Sequence, residues 1–167
     1  EPHVVFGELD NRRSQRVERL YQAFSHAEIK VEIPQDVQAA MWEKFIFITS
    51  MSGMGAITRV PVGIMRNLPQ TRQMIEHTID EIIAVGWEHQ VRLTDDVFDR
   101  TMAFIDNMPP ESTLSMQRDI MEGRPSELES QNGAVVRLGK EVNVTTPLNT
   151  FIYHSLLPLE LQARGEL

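Results

Sequence analysis

The chain has 167 residues, with 16 Lys and Arg against 24 Asp and Glu, a formal net charge of −8. Its 41% hydrophobic and 24% charged content is ordinary for one folded domain, or one domain and part of another, and excludes wholesale disorder. The acidic balance argues against bulk nucleic-acid binding, no apolar run approaches the roughly 18 residues of a membrane span, and the lack of cysteine excludes disulfides and thiol nucleophiles. The chain begins at Glu1 with neither an initiator Met nor a signal-peptide pattern, so a processed chain or a piece of a longer protein is expected.

Residues 3–9 are β-branched and aromatic and run into Asp10-Asn11, which predicts a strand ending at a turn. Val17, Leu20, Tyr21 and Phe24 lie at helical spacing and predict an amphipathic helix. Ile29, Val31 and Ile33 alternate with Lys30 and Glu32 as a second strand, stopped by Pro34. Strand, helix, strand reads as a parallel β-α-β unit with a right-handed crossover. Two strands alone leave bare faces and edges, so the unit reads as the trailing end of a larger sheet upstream of Glu1.

From residue 34 onward the pattern is all-helical. Val37, Met41, Phe45 and Ile48 repeat at helical spacing, with Asp36 near the start. Pro69 opens a long helix with an apolar stripe from Met74 through Ile75, Thr78, Ile79, Ile82, Ile83 and Gly86 to about Val91. Thr94-Asp95-Asp96 should cap the next helix, carrying Val97, Phe98, Thr101, Met102 and Ile105 and ended by Pro109-Pro110. Ser126 and Glu129 have the spacing of a capping box for a helix reaching about Val142, overriding the turn signal Asn132-Gly133. Thr146-Pro147 predicts a cap and first turn of a last helix through Phe151, Ile152 and Leu156, bent at Pro158. The nine methionines fall mostly at core spacing and read as core filling.

Few residues suggest chemistry by themselves. Gly53-Met54-Gly55-Ala56-Ile57-Thr58 offers G-x-G-x-x-T, but the preceding segment is helical and Thr58 replaces the third glycine. Close helix packing, or a substrate-lined break between helices, suits it better than a phosphate loop. His3, His26, His77, His89 and His154 do not cluster at metal-ligand spacing, so no metal is expected. Lys44 sits among Trp42, Phe45, Ile46, Phe47 and Ile48, either snorkelling to the surface or held in a pocket where desolvation would lower its pKa. Lys44, Ile48 and Ser52 are four apart and share roughly one helix face. Ser115 and Glu127 each fall near a predicted helix start, as caps or as parts of an anion site.

Trp42-Glu43-Lys44-Phe45 followed by Thr49 to Arg59 resembles the start of the C-terminal domain of the ketopantoate reductase family. Ser115 to Ile120, Gly123-Arg124, Ser126 to Glu129, Asn132-Gly133 and Thr146 to Asn149 resemble that family's second signature. Val5-Phe6-Gly7-Glu8 resembles the last part of its nucleotide-binding domain.

The resemblance implies a mainly α fold. A helical bundle, like the C-terminal domain of 6-phosphogluconate dehydrogenase, would span residues 34–167. Residues 1–33 would be a β-α-β remnant of the NADP-binding Rossmann domain. It implies NADPH-dependent reduction of 2-dehydropantoate, or a related 2-keto acid, to pantoate in coenzyme A synthesis. Lys44 matches the catalytic lysine, the general acid for the keto oxygen. Ser115 matches a substrate-binding serine, and Glu127 a glutamate near substrate and the cofactor's ribose–nicotinamide end. Ser52 falls where the family often has a substrate-binding asparagine. The implied partner is the N-terminal Rossmann domain, which would carry most of the NADPH, and the apolar surface meant for that domain's sheet predicts association into a homodimer or larger species when the chain is alone. A cytoplasmic location is implied, with no membrane or nucleic-acid partner. Ile48 departs from the family's usual asparagine, and Pro61-Val62-Gly63 lacks an expected polar contact. Two other readings stand beside the enzyme: a non-catalytic interaction module of the same ancestry, and a freestanding helical protein that binds a small acid.

Overall fold

The structure, a computed structural model, describes residues 3–167. Glu1 and Pro2, included in the expected first domain, lie outside the described residues. The chain forms two compact units that divide between Trp42 and Glu43. The sequence division at 33/34 instead marks the change from strand to helix.

In the first unit, β1 (His3–Val5) and β2 (Lys30–Glu32) pair in parallel, His3 opposite Lys30 and Val5 opposite Glu32. Helix α1 (Gln15–His26) crosses between them, so the expected β-α-β unit is present. The strands are shorter than the apolar runs because side chains take over where the ladder stops. Phe6 N–H still reaches Glu32 O at 3.2 Å. Two residues on, Glu8 Oε1 accepts from Ser14 Oγ at 2.5 Å and Arg16 Nε at 2.7 Å. Asn11 turns the chain with φ +61°, the left-handed conformation that Asn tolerates. Ser14 caps α1 by accepting from Val17 N–H. Only Val17 of the predicted apolar face is buried; Leu20 and Tyr21 are exposed, and Phe24 packs on Phe6 with ring centroids 5.9 Å apart.

Helix α2 (Val37–Thr58) begins where Asp36 Oδ1 accepts from the N–H groups of Gln38 and Ala39, as its position predicted. The helix is apolar almost all round, which is the pattern of a buried helix. Ile46, Met51 and Met54 are fully buried. No helix among the described residues is long and apolar enough to cross a membrane.

The second unit is helical throughout. A short helix, α3 (Val62–Asn67), was not anticipated. Its first amides are satisfied by a loop: Val62 N–H donates to Ser112 O and Gly63 N–H to Pro110 O. Helix α4 (Pro69–Glu88) carries the predicted stripe and ends slightly before Val91, where Gln90 adopts φ +60°. Helix α5 (Val97–Asn107) buries Val97, Thr101, Met102 and Ile105, while Phe98 is only half-buried. The expected Thr94/Asp96 cap is absent: the Asp96 side chain does not cap, and Thr94 Oγ1 donates to Asp96 Oδ1. Helices α6 (Ser115–Met121), α7 (Asn132–Glu141) and α8 (Pro147–Arg164) complete the bundle. Helix α4 packs against α3, α5, α7 and α8 and is its hub.

Two more caps differ from expectation. Ser126 does not start α7, which begins at Asn132. Glu160, only 3% exposed, accepts the N–H and hydroxyl of Ser126 and is paired with Arg164. Glu129 instead accepts from Tyr153 Oη at 2.6 Å. At α8, Thr146 makes no side-chain cap. Glu81 of α4 accepts from the N–H groups of Leu148 and Asn149 at 2.8 and 2.9 Å and from Asn149 Nδ2 at 2.8 Å. Asn149 Oδ1 in turn accepts from Asn132 Nδ2 at 3.0 Å. Helix α8 runs on past Pro158 as one element.

Two predictions follow from these contacts. Asn149→Ala leaves Asn132 Nδ2 and one Glu81 oxygen short of a partner, which costs about 1–3 kcal/mol. The urea midpoint should fall with an unchanged slope; an unmoved midpoint contradicts the role given to Asn149. Separately, the Arg16 guanidinium, and next the Ser14 hydroxyl, hold the Glu8 carboxyl at about 2, below its ordinary 4.5. The native state therefore binds fewer protons at Glu8 than the unfolded chain. The stability this gives is complete above about pH 4.5 and is lost as pH falls towards 2. In Glu8→Gln that part of the acid dependence should vanish from denaturation curves recorded across this range.

Candidate active site

Lys44 lies in the second turn of α2 and is exposed. Among the described residues its side chain forms no ion pair or hydrogen bond. Beside it opens a cavity of about 360 Å³, walled by Glu43, Lys44 and Phe47 of α2 and by Val97, Arg100, Thr101 and Phe104 of α5. Phe47 and Phe104 meet edge to face, with centroids 4.7 Å apart. The two sequence alternatives for Lys44 thus merge: its head is open to water, but its flank is an apolar wall.

The charge next to Lys44 is already engaged. Arg100 donates to both Glu43 oxygens, Nη2 to Oε1 at 2.7 Å and Nη1 to Oε2 at 3.1 Å. Its Nε also reaches Asp96 Oδ1 at 3.2 Å, and Nη2 reaches Thr94 Oγ1 at 3.0 Å. Thr94 and Asp96, which failed as helix caps, serve to brace this guanidinium. Hydrogen bonding to Glu43 raises the Arg100 pKa further.

Ser52 lies two turns beyond Lys44 and is 2% exposed; Ile48, between them, is half-buried. The glycines after Ser52 are contact points inside a continuous helix. A Cβ at Gly53 would sit 2.7 Å from Asn132 Oδ1, and one at Gly55 would sit 2.5 Å from Gln117 Oε1. Close packing is therefore the reading the structure selects; α2 has no break there. These contacts bring α6 and the start of α7 against the same stretch of α2. Ser115 is the exposed first residue of α6. Gln117, two residues on, is buried and donates to Val60 O at 3.0 Å. Glu127 is exposed, and its Oε2 accepts from Gln131 Nε2 at 3.1 Å. Gln131 Oε1, Asn132 Oδ1 and Thr49 Oγ1 are buried without a partner.

Ser52 lies on α2, Ser115 opens α6, whose Gln117 meets α2 at Gly55, and Glu127 lies in the loop before α7, whose Asn132 meets α2 at Gly53. The cavity beside Lys44 is lined by none of these three residues; its far wall is α5. Sequence reasoning passed over Arg100 and Phe104. The spacing of Asp96 and Arg100 was visible as a helical pair, but Glu43 and Arg100 are 57 residues apart. Among the described residues, no group of three or more His, Asp or Glu side chains gathers as metal ligands would.

The structure is a helical bundle preceded in the chain by a parallel β-α-β unit. Residues 36–160 match the family model for the C-terminal domain of ketopantoate reductase PanE/ApbA, and the chain belongs to that family. It is 28% identical over 165 residues to the 2-dehydropantoate 2-reductase of Aquifex aeolicus, covering 95% of this chain and 52% of that protein. The dimeric ketopantoate reductase from Staphylococcus aureus superposes with a TM-score of 0.86 at 20% identity, over 98% of this chain and 55% of that one. D-mandelate dehydrogenase, in its structure with NADH and anilino(oxo)acetate, gives 0.84 at 19%, over 97% and 53%. At these identities the two structures establish the fold. The chain spans about half the length of the curated relatives it matches.

Gly53 tests the packing around Ser52. Alanine in a helix gains about 1 kcal/mol over glycine, whereas forcing a methyl against a buried, hydrogen-bonded amide costs about 1–3 kcal/mol. Gly53→Ala should therefore lower the thermal midpoint despite its better helix propensity; a raised midpoint would show that Asn132 yields.

Proposed function

We propose that this chain is the substrate-carrying C-terminal half of an NADPH-dependent 2-keto acid reductase. Lys44 is its general acid, and 2-dehydropantoate, reduced to pantoate in coenzyme A synthesis, is its substrate. The observation that carries the reading is the Lys44 ammonium: it stands unpaired at an apolar-walled cavity, while the neighbouring carboxylate is bound to Arg100. The family and the curated relatives support the reaction class.

The Gly53–Thr58 run gives the dinucleotide's phosphates no cradle. Gly53 and Gly55 lie inside α2, with Asn132 and Gln117 filling the space a phosphate would need. That part of NADPH belongs in this reading to an N-terminal Rossmann half. The exposed Val5, Leu9, Leu20, Tyr21 and Met41 are apolar surface that such a half would cover. This chain's exposed Glu127 fits a hydroxyl or amide donor at the cofactor's ribose–nicotinamide end. The bound cofactor supplies hydride to the keto carbon. As the carbonyl oxygen gains negative charge, Lys44 Nζ donates it a proton, giving the alcohol and a neutral amine that recovers a proton from water. In this reading the exposed Ser115 hydroxyl hydrogen-bonds the substrate. The working enzyme is a cytoplasmic homodimer.

The test is NADPH oxidation by this chain joined to its N-terminal half. Lys44→Ala should lower kcat about 10²–10⁴-fold, the usual worth of a positioned general acid, with little change in KM for NADPH. Unchanged turnover would return the chain to the alternative of a non-catalytic interaction module.

A further inference from the structure

Glu43 and Lys44 are consecutive on α2 and both line the cavity that α5 closes. Consecutive helix residues point about 100° apart, yet both of these side chains line one cavity. In the structure they form no ion pair, and Arg100 takes both Glu43 oxygens. The titratable groups facing Lys44 across the cavity are therefore Glu43 on its own helix and Arg100 on α5, with Asp96 behind Arg100. The grip is geometrically specific: a planar guanidinium binds a carboxylate through two parallel bonds, which an ammonium cannot do. Thr94 and Asp96 hold the guanidinium from its other side.

We propose that Arg100 is a positioning residue for Lys44: by holding Glu43 in a bidentate pair, it denies Lys44 that carboxylate and leaves the ammonium free for the substrate oxygen. This rests on Lys44 being the general acid. Released from Arg100, Glu43 would pair with Lys44. The pair would draw the ammonium from the substrate and hold its proton more tightly. Both effects weaken a general acid, and the second has its own signature. A general acid fails above its pKa, so the alkaline limb of the rate profile should move to higher pH.

The experiment uses the full reductase and measures kcat for the 2-keto acid between pH 6 and 10. Circular dichroism confirms that each variant is folded. Arg100→Gln should lower kcat roughly tenfold to a hundredfold, as misplaced catalytic groups do, and raise the alkaline limb by about one pH unit. Arg100→Lys should recover only part of the rate. Glu43→Gln combined with Arg100→Gln removes the freed carboxylate and should return the limb to its original position, a rescue that a purely structural tie between α2 and α5 would not give. If Arg100→Gln slows the enzyme while the limb stays and the double variant rescues nothing, Arg100 is only a structural tie and the proposal is overturned. If Lys44→Ala leaves turnover unchanged, the general-acid reading itself fails, and this inference with it.

Discussion

The start of helix α8 is closed by a carboxylate from α4, and the second unit is organised around that contact. Glu81 accepts two backbone N–H groups and the Asn149 amide, and Asn149 passes the chain of bonds to Asn132. A helix N-terminus carries partial positive charge and unsatisfied donors, so a carboxylate there answers both needs. Because Asn132 and Asn149 are fully buried, the bonds are made in a low dielectric, where each is strong and each omission is costly. The network allows one relative placement of α4, α7 and α8. Gly53 then lets α2 close on Asn132 without a side chain between them.

That constraint has consequences for the site. Helix α2 is pressed into the bundle along Met51, Met54 and its glycines, while Glu43, Lys44 and Phe47 share a cavity with α5. A lysine placed there has water on one side and Phe47 and Phe104 on the other. The cavity wall is built from α5, whose own start is an exposed cluster of Thr94, Asp96 and Arg100. Polar groups that would ordinarily cap a helix are turned there to hold a guanidinium.

Much of the architecture was legible because it rests on local pattern. The β-α-β unit showed in the change from period two to helical spacing and in the Asp10-Asn11 turn. The stripe of α4 and the buried face of α5 showed in the same way. Lys44 stood out because an ammonium among large apolar residues is expensive unless it reaches water or has a task. Short α3 was not legible: its six residues carry too little periodicity, and its capping carbonyls come from the Pro110–Ser112 loop.

The sequence by itself determined the class of the chain. Its hydrophobic spacing prescribes helices after Pro34, its Gly53 and Gly55 sit in a helical segment, and its motifs carry the family resemblance. Only the tertiary structure decided how polar groups were paired. Ser126 went to Glu160, Thr146 lost the cap of α8 to Glu81, and Glu43 was taken by Arg100. Apolar periodicity is written into neighbouring residues, because a helix repeats every few positions. A carboxylate, by contrast, binds whichever donor the folded chain brings within about 3 Å, and for Glu81 and Glu43 that donor comes from another helix.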